Sequence, residues 1–462
     1  MNSRKEKDAL GYVEVNSDAY YGAETQRGVN LFDVSGIRVS TELIHSYAIV
    51  KKSAAIANMR IGKLDAKKAN AIIKASKYVA GGSLDAQFPL DVFQSGAGTG
   101  TNMNVNEVIA NKAIELLGGR KGDYKIVHPN DHVNMSQSTN DTYPTAVNIT
   151  CRSIIIRELI PAMNALRTDL LKKSAEFSKI TKIGRTHLQD AVPIRLGDEF
   201  SAYAGAVSKC IESLENSADN LLEVPIGGTA VGTGINAGED YVRNVVKELS
   251  REIGARVRVP KSDFTDMSFR LDQLGLADSL NQCAVAFMKI ANDLRLLASG
   301  PRAGLGEISL PAVMPGSSIM PGKVNPSVVE MMNMVCYSIM GSAHATRNAV
   351  AGAQLELNVF TPLISYELIS SLKILSNAVK IFDRHCIRGI NANVSRIHEH
   401  LDMDLEIVTA LNQYIGYAKA AEIADIALRE DKSVKQVCIE KKILDKKTLD
   451  RILDPEREFG NM

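Results

Sequence analysis

Apolar residues recur with helical spacing over long stretches of this chain. In LDAKKANAIIKASKYVAGG, Asp65 stands where an N-cap belongs, apolar residues fall at Ala69, Ile72, Ile73, Val79 and Ala80, and Gly81-Gly82 ends the pattern. That spacing predicts one amphipathic helix. From Met267 to Ser299 there is no proline, and Leu280, Cys283, Ala284, Phe287, Ile290, Ala291, Leu294 and Leu297 keep the helical period. A helix there reaches up to about 50 Å at 1.5 Å per residue. A comparable segment begins near Pro144, and another follows Pro362 through LISYELISSLKILSNAVKIFDRHC, with proline suited to a first helical turn. Helices this long fit a bundle better than an ordinary α/β domain, so the expected fold class is all-α, with the long helices packing against other subunits.

Strand-like alternation is confined to pieces such as YVEV and RVRVP, and the alternating β-α pattern of a dinucleotide fold is missing. From about Asn393 the chain becomes more charged and ends in short helical segments such as SVKQVCIEKKILDKKTLDRIL, which reads as a small appended domain.

Composition narrows the function. The chain has 462 residues, 45% hydrophobic and 23% charged, enough for a large core in two or three domains. With 54 Lys and Arg against 53 Asp and Glu there is no net field to draw nucleic acid or anionic lipid, so a small molecule is the expected ligand. The six cysteines are scattered without a C-x-x-C pair and are expected to be buried small hydrophobes in a reducing compartment. The N-terminus lacks the apolar core of a signal peptide, and no run approaches the roughly 18 apolar residues of a membrane span. The expectation is a cytoplasmic protein.

Against the helical background, four stretches are rich in Gly, Ser, Thr and Asn: SGAGTGTNMNVNE from Ser95, NMSQSTNDTYP from Asn134, GRTHLQDAVP from Gly184 and GSSIMPGKVNP from Gly316. The last is not a phosphate-binding P-loop, because five residues separate Gly316 from Gly322 where that loop needs four, and Val324 stands where a hydroxyl would reach Mg²⁺. GGTAVGTG at Gly227 reads as a tight helix connection. Singly, each polar stretch reads as a helix cap, with Thr101 or Asn102 as N-cap in the first. Together they present hydroxyls, amides and backbone N–H groups at helix starts, where anions bind. His187, among polar neighbours, suits a proton carrier near neutral pH. His128, Asp131 and His132 form one short cluster without a distant further ligand, so no metal is expected.

GSSIMPGKVNP, with AYYGAETQRG, NMNVNEVIAN, VNMSQSTND, GRTHLQDAVP, GGTAVGTGIN, ANDLRLLASGPRAGLGEI and QLELNVF, resembles the fumarase/aspartase superfamily over almost the whole chain. Most of these segments look like its aspartase branch; HPNDHVN and GGTAVGTG look at least as fumarase-like, and Gln413 stands where relatives usually carry proline. The resemblance implies three mostly helical domains, 1–139, 140–393 and 394–462, with the central bundle forming a twenty-helix core in a homotetramer. It also implies active sites assembled from three subunits, a dicarboxylate substrate and no organic cofactor.

The implied reaction is elimination of ammonia from L-aspartate to give fumarate, through a doubly charged aci-carboxylate. Such an intermediate calls for preorganised hydrogen-bond donors. By resemblance, Ser317 is the general base as its alkoxide, and Lys323, Asn325 and Thr186 hold the α-carboxylate. Thr99, Ser138, Thr139 and Ser318 match the grip on the β-carboxylate. Asn140 and His187 match positions near the amino group, with Glu330 as the partner that orients His187. Gly304, Gly306 and Gly316 flank EISLPAVMP and are expected to let this loop close and turn N–H groups toward Ser317. The rival readings are a class II fumarate hydratase, a second anion site near His128 included, and a catalytically silent helical scaffold.

Overall fold

The computed structural model describes residues 3–454. Hairpin strands β1 (Ser3–Asp8) and β2 (Gly11–Asn16) precede helices α1 (Ala23–Leu31), α2 (Thr41–Arg60), α3 (Ala66–Ala80), α4 (Thr99–Leu116) and α5 (Thr139–Ile154). A π turn at Ile155–Leu159, just ahead of Pro161, leads into α6 (Ile160–Glu176), followed by the hairpin β3 (Thr181–Thr186) and β4 (Gln189–Arg195). Next come α7 (Leu196–Asn220), α8 (Glu239–Ile253), α9 (Asp263–Ser268) and α10 (Leu271–Leu297), then β5 (Ile308–Ser309), α11 (Ser327–Ala351) and α12 (Thr361–His385). β6 (Asn391–Ala392), α13 (Val394–Asp402), α14 (Asn412–Ile415), α15 (Tyr417–Glu430), α16 (Val434–Glu440) and α17 (Lys446–Ile452) complete the described chain. The protein is mainly helical, as its periodicity predicts.

These elements form two compact units. Of the described residues, one takes 3–161, 211–284 and 336–376; the other takes 162–210, 285–335 and 377–454. In the first, α2 is buried along most of its length and packs against α3, α5 and α8. Its many alanines and serines allow that close packing. Glu107 of α4, itself buried, accepts the N–H groups of Gly22, Glu24 and Thr25 at 2.8, 2.9 and 3.2 Å and so caps α1 from outside. In the second unit, Val408, Leu411, Ile423, Val434, Val437, Cys438 and Leu449 form the core of the C-terminal helices.

Local signals explain most boundaries. Asp65 accepts the N–H groups of Lys67 and Lys68, both at 3.0 Å, and Gly82 takes φ 77° beyond the end of α3. Ser433 and Gln436 form a capping box ahead of α16. All six cysteines are buried. No helix of the described residues is long and apolar enough to cross a membrane.

Four expectations shift. α10 begins at Leu271, because Arg270 takes φ 53° and breaks the run from Met267; at 27 residues the helix is ~40 Å long. α5 begins at Thr139 and carries Pro144 inside it. Proline lacks the N–H that would bond to the carbonyl four residues back, on Asn140. Arg270, fully buried, donates to that carbonyl at 3.4 Å instead. RVRVP forms only a single bridge, Glu223 with Arg258. GRTHLQDAVP is a β-hairpin and not a helix start, so its donors come from a turn.

Candidate functional site

The segment Gly316–Pro326 is a loop ahead of α11 that closes on itself. Gly316 donates its N–H to the Lys323 carbonyl at 2.9 Å, and Asn325 Nδ2 donates to the Gly316 carbonyl at 2.7 Å. A Cβ on Gly316 would lie 2.6 Å from the Asn325 nitrogen and 2.7 Å from the Lys323 oxygen, so no larger residue fits without moving the loop. Gly322 takes φ 82° to turn the chain back. The product of this folding is the setting of Ser317. Ser317 is half-buried as a residue, and its Oγ accepts the N–H of Met320 at 2.9 Å and of Ile319 at 3.2 Å. Two N–H donors on one hydroxyl oxygen favour the oxyanion over the neutral alcohol. Ser318 and Lys323 are exposed beside it. Gly304 answers a close approach, since its Cβ would meet the Ser299 carbonyl at 2.5 Å. Turn geometry and packing therefore account for Gly304 and Gly316.

Thr186 and His187 sit at the end of the β3–β4 hairpin. Thr186 pairs with Gln189, leaving His187 and Leu188 as a two-residue turn with φ 56° and 59°. Positive φ at both positions is the hairpin-compatible type I′ arrangement, normally built from Asn and Gly. Placing His and Leu there costs conformational energy, a pattern that clusters at functional sites. Thr186, His187 and Leu188 are all exposed. Within the single chain no ion pair joins His187 to Glu330 among the described residues, and Glu330 lies half-buried in the first turn of α11.

The other unit holds the remaining candidates. Ser138 is the N-cap of α5: its Oγ accepts the Asn140 N–H at 3.2 Å while Asp141 accepts the Ser138 N–H at 3.0 Å. Thr139 Oγ1 accepts Asn102 Nδ2 at 2.9 Å. Each hydroxyl thus has a protein donor on its oxygen and keeps its own proton for another acceptor, which a carboxylate would be. Asn140 Nδ2 donates to the Ala230 carbonyl at 2.8 Å, which leaves its Oδ1 as an unused acceptor. Thr99 is the first residue of α4, not a residue before it; Thr101 and Asn102 lie inside the helix and are not its caps. Gly98 is the N-cap at φ 82°, and a Cβ there would collide with the Tyr143 ring at 2.3 Å. A cavity of about 340 Å³ beside Thr99 and Gly100 is lined by Leu10, Leu31, Phe32 and Leu90 with Asp8, Glu24 and Arg27; its one cation is already paired with Asp8 at 2.6 Å, so it suits a dicarboxylate poorly.

Residues missed by sequence reasoning lie directly behind these. Lys51 is fully buried on α2 and donates to Asn134 Oδ1 at 2.8 Å and Gln137 Oε1 at 3.1 Å. Burial lowers its ammonium to about 7, with Asp141 opposing the shift. Tyr47 bridges Asn102 and Thr142 at 2.8 Å each. Asp141 accepts the Gly227 and Thr229 N–H groups at 3.0 and 3.1 Å, which anchors the GGTAVGTG helix connection to the Ser138 cap. A lysine in an otherwise apolar helix period was the available signal for Lys51. Near the suggested second anion site, His128 Nδ1 accepts the N–H groups of Asn130 and Asp131, both at 3.2 Å, and so serves as a cap. No three His, Cys, Asp or Glu side chains of the described residues converge as metal ligands.

Comparison with known proteins bears on this arrangement. A family model described as Lyase matches residues 11–341, and one described as Fumarase C C-terminus matches 407–457. An aspartate ammonia-lyase from Bacillus sp is 45% identical, with 98% of this chain and 96% of that protein covered. A class II fumarate hydratase from Thermosynechococcus vestitus is 46% identical over 99% of this chain and 98% of its own. The solved structure of a class II fumarase from Schistosoma mansoni, 36% identical, superposes with a TM-score of 0.97 over 100% of both chains. The two curated relatives differ by too little in identity to separate their substrates.

Proposed function

This chain belongs to the fumarase/aspartase superfamily and is a lyase, and from that premise we propose that it is an aspartate ammonia-lyase. The observation that carries the chemistry is the Ser317 oxygen held under two backbone N–H groups. In the proposed reaction the Ser317 alkoxide takes the proton from the carbon next to the β-carboxylate. The electron pair passes into that carboxylate as the aci form, and its return expels the amino group, which leaves as ammonia with the C–N bonding pair. Ser317 ends as the neutral alcohol.

Thr99, Ser138, Thr139 and Ser318 would donate to the β-carboxylate as its charge grows, the interaction that speeds the chemical step. Lys323, Asn325 and Thr186 would hold the α-carboxylate. His187, oriented by Glu330 of the assembled protein, and Asn140 would face the amino group. Thr99 and 138–140 belong to one compact unit, while Thr186, His187 and the 316–326 loop belong to the other. Their wide separation in sequence supports a homotetramer whose sites take residues from three subunits. The division at 1–139, 140–393 and 394–462 belongs to the same proposal, supported by helix starts at Thr139 and Val394.

Choice of leaving group rests on Asn140. An ammonium needs acceptors, whereas a departing hydroxide needs a proton donor. The Ala230 carbonyl takes one of the two amide N–H groups of Asn140, which fixes the side chain and leaves its Oδ1 as an acceptor for the ammonium, beside one remaining N–H. Class II fumarate hydratase is the second reading, favoured by the 46% identical relative. An ultraviolet assay for fumarate from L-aspartate and from L-malate separates the two. Turnover of malate but not aspartate assigns the hydratase; turnover of neither leaves the scaffold reading.

A further inference from the structure

Glu307 is completely buried and stands at the root of the segment that runs on to Ser317. Its carboxylate meets three basic side chains from two other parts of the same unit. Oε1 lies 2.7 Å from Arg185 Nη1 and 3.1 Å from His400 Nδ1, and Oε2 lies 3.1 Å from Lys182 Nζ. Lys182, also buried, is shared with Glu199 of α7 at 2.9 Å. Lys182 and Arg185 are on β3, and Arg185 directly precedes Thr186. A register shift in the hairpin between Ile183 and Arg185 turns this part of the strand.

The third arm comes from the C-terminal segment. Asn393 donates its N–H to the Glu307 carbonyl at 2.8 Å and its side-chain amide to the Gly306 carbonyl at 2.6 Å. Arg396 donates to the carbonyls of Leu305 and Gly304, both at 3.3 Å, and β5 pairs with β6. Charges buried this completely contribute little net stability over apolar residues of the same shape, but each tolerates one geometry only. Such a cluster fixes register.

We propose that Glu307 is a positioning residue that holds the Thr186–His187 turn and the root of the Ser317 loop in one register, with residues 391–400 as the clamp. The C-terminal segment then governs the chemistry without touching substrate. This rests on the lyase reading for its catalytic consequence, but not for its structural one.

The test uses the full chain with Glu307→Gln, which keeps the shape and removes the charge, and Asn393→Ala, which loosens the clamp alone. Hydrogen exchange is read on 181–195 and 308–326, with 99–116 and 139–154 as controls, beside turnover of the substrate the assay selects. Glu307→Gln is expected to speed exchange in both test segments together, leave the controls unchanged and lower turnover by about 10–100-fold, as small misplacements do. Asn393→Ala is expected to loosen 308–326 and, through Glu307, 181–195 as well. Loosening of one segment alone, equal loosening of the controls, or unchanged turnover despite loosening overturns the proposal. Should Glu307→Gln not fold, Asn393→Ala gives the same reading. Exchange needs no substrate, so a failed aspartate assignment leaves this result standing.

Discussion

The backbone N–H of Met320 donates to Ser317 Oγ at 2.9 Å, the contact on which the proposed serine base depends. In water a serine alkoxide is too basic to persist near neutral pH; inside a loop that aims two N–H dipoles at the oxygen, the charged form gains the hydrogen bonds and the neutral form gains less. Ser317→Ala is therefore expected to lower kcat by roughly 10²–10⁴-fold, the usual span for a lost general base. Fumarate binding, measured by calorimetry, should stay near that of the wild type. Near-normal turnover removes Ser317 from the role.

Gly316→Ala places a methyl group 2.6 Å from the Asn325 nitrogen. The loop has to open, and overpacking of this kind costs about 1–3 kcal/mol locally. Turnover should fall by about 10–100-fold because the Ser317 oxygen moves off its donors. Circular dichroism should show unchanged helix content, as the loop carries no helix of its own.

Arg270 and Pro144 make a compensating pair around the Asn140 carbonyl. Arg270→Met leaves that half-buried carbonyl without its donor, a loss of up to about 1–3 kcal/mol in a denaturant titration. Adding Pro144→Ala restores the helical N–H to the same carbonyl and should recover part of the loss. A double variant no more stable than Arg270→Met shows that the carbonyl was not the cause.

Lys51 predicts a pH dependence. Its buried ammonium sits at about 7, against about 10.4 for an unfolded lysine. Between those values the unfolded chain holds a proton that the folded chain has released, so stability rises with pH, by up to ~1.4 kcal/mol per unit for this one group. Below about 7 both states are protonated and the slope vanishes. Denaturation midpoints at pH 7, 8 and 9, wild type minus Lys51→Met, should show this slope; parallel curves refute it.

Shared sites predict complementation. Ser317→Ala and Thr186→Ala proteins, each inactive, should regain partial activity when unfolded and reassembled together, because some sites would then draw both intact residues from different chains. Mixed assemblies of confirmed composition that stay inactive count against sharing.

Much of this protein was legible from sequence because its determinants are local. The period of apolar residues in α3, α10 and α12, the Asp65 cap and the Gly82 exit each depend on a few neighbouring side chains. Polar motifs likewise marked Ser138, Thr186, Ser317 and Lys323 as unusual among helices. What sequence could not reach were contacts between distant segments. α5 carries Pro144 inside it, and the Asn140 carbonyl that proline leaves without a helical donor is met by Arg270 from far along the chain. His187 occupies a strained hairpin turn because β3 pairs with β4, a partner choice that alternation alone does not specify. Lys51, Asp141 and Glu307 gain their character from burial, and burial is a property of the packed chain. A sequence states which groups are present and how each segment prefers to fold; only tertiary structure sets which groups lose water and meet, and those distances decide their electrostatics.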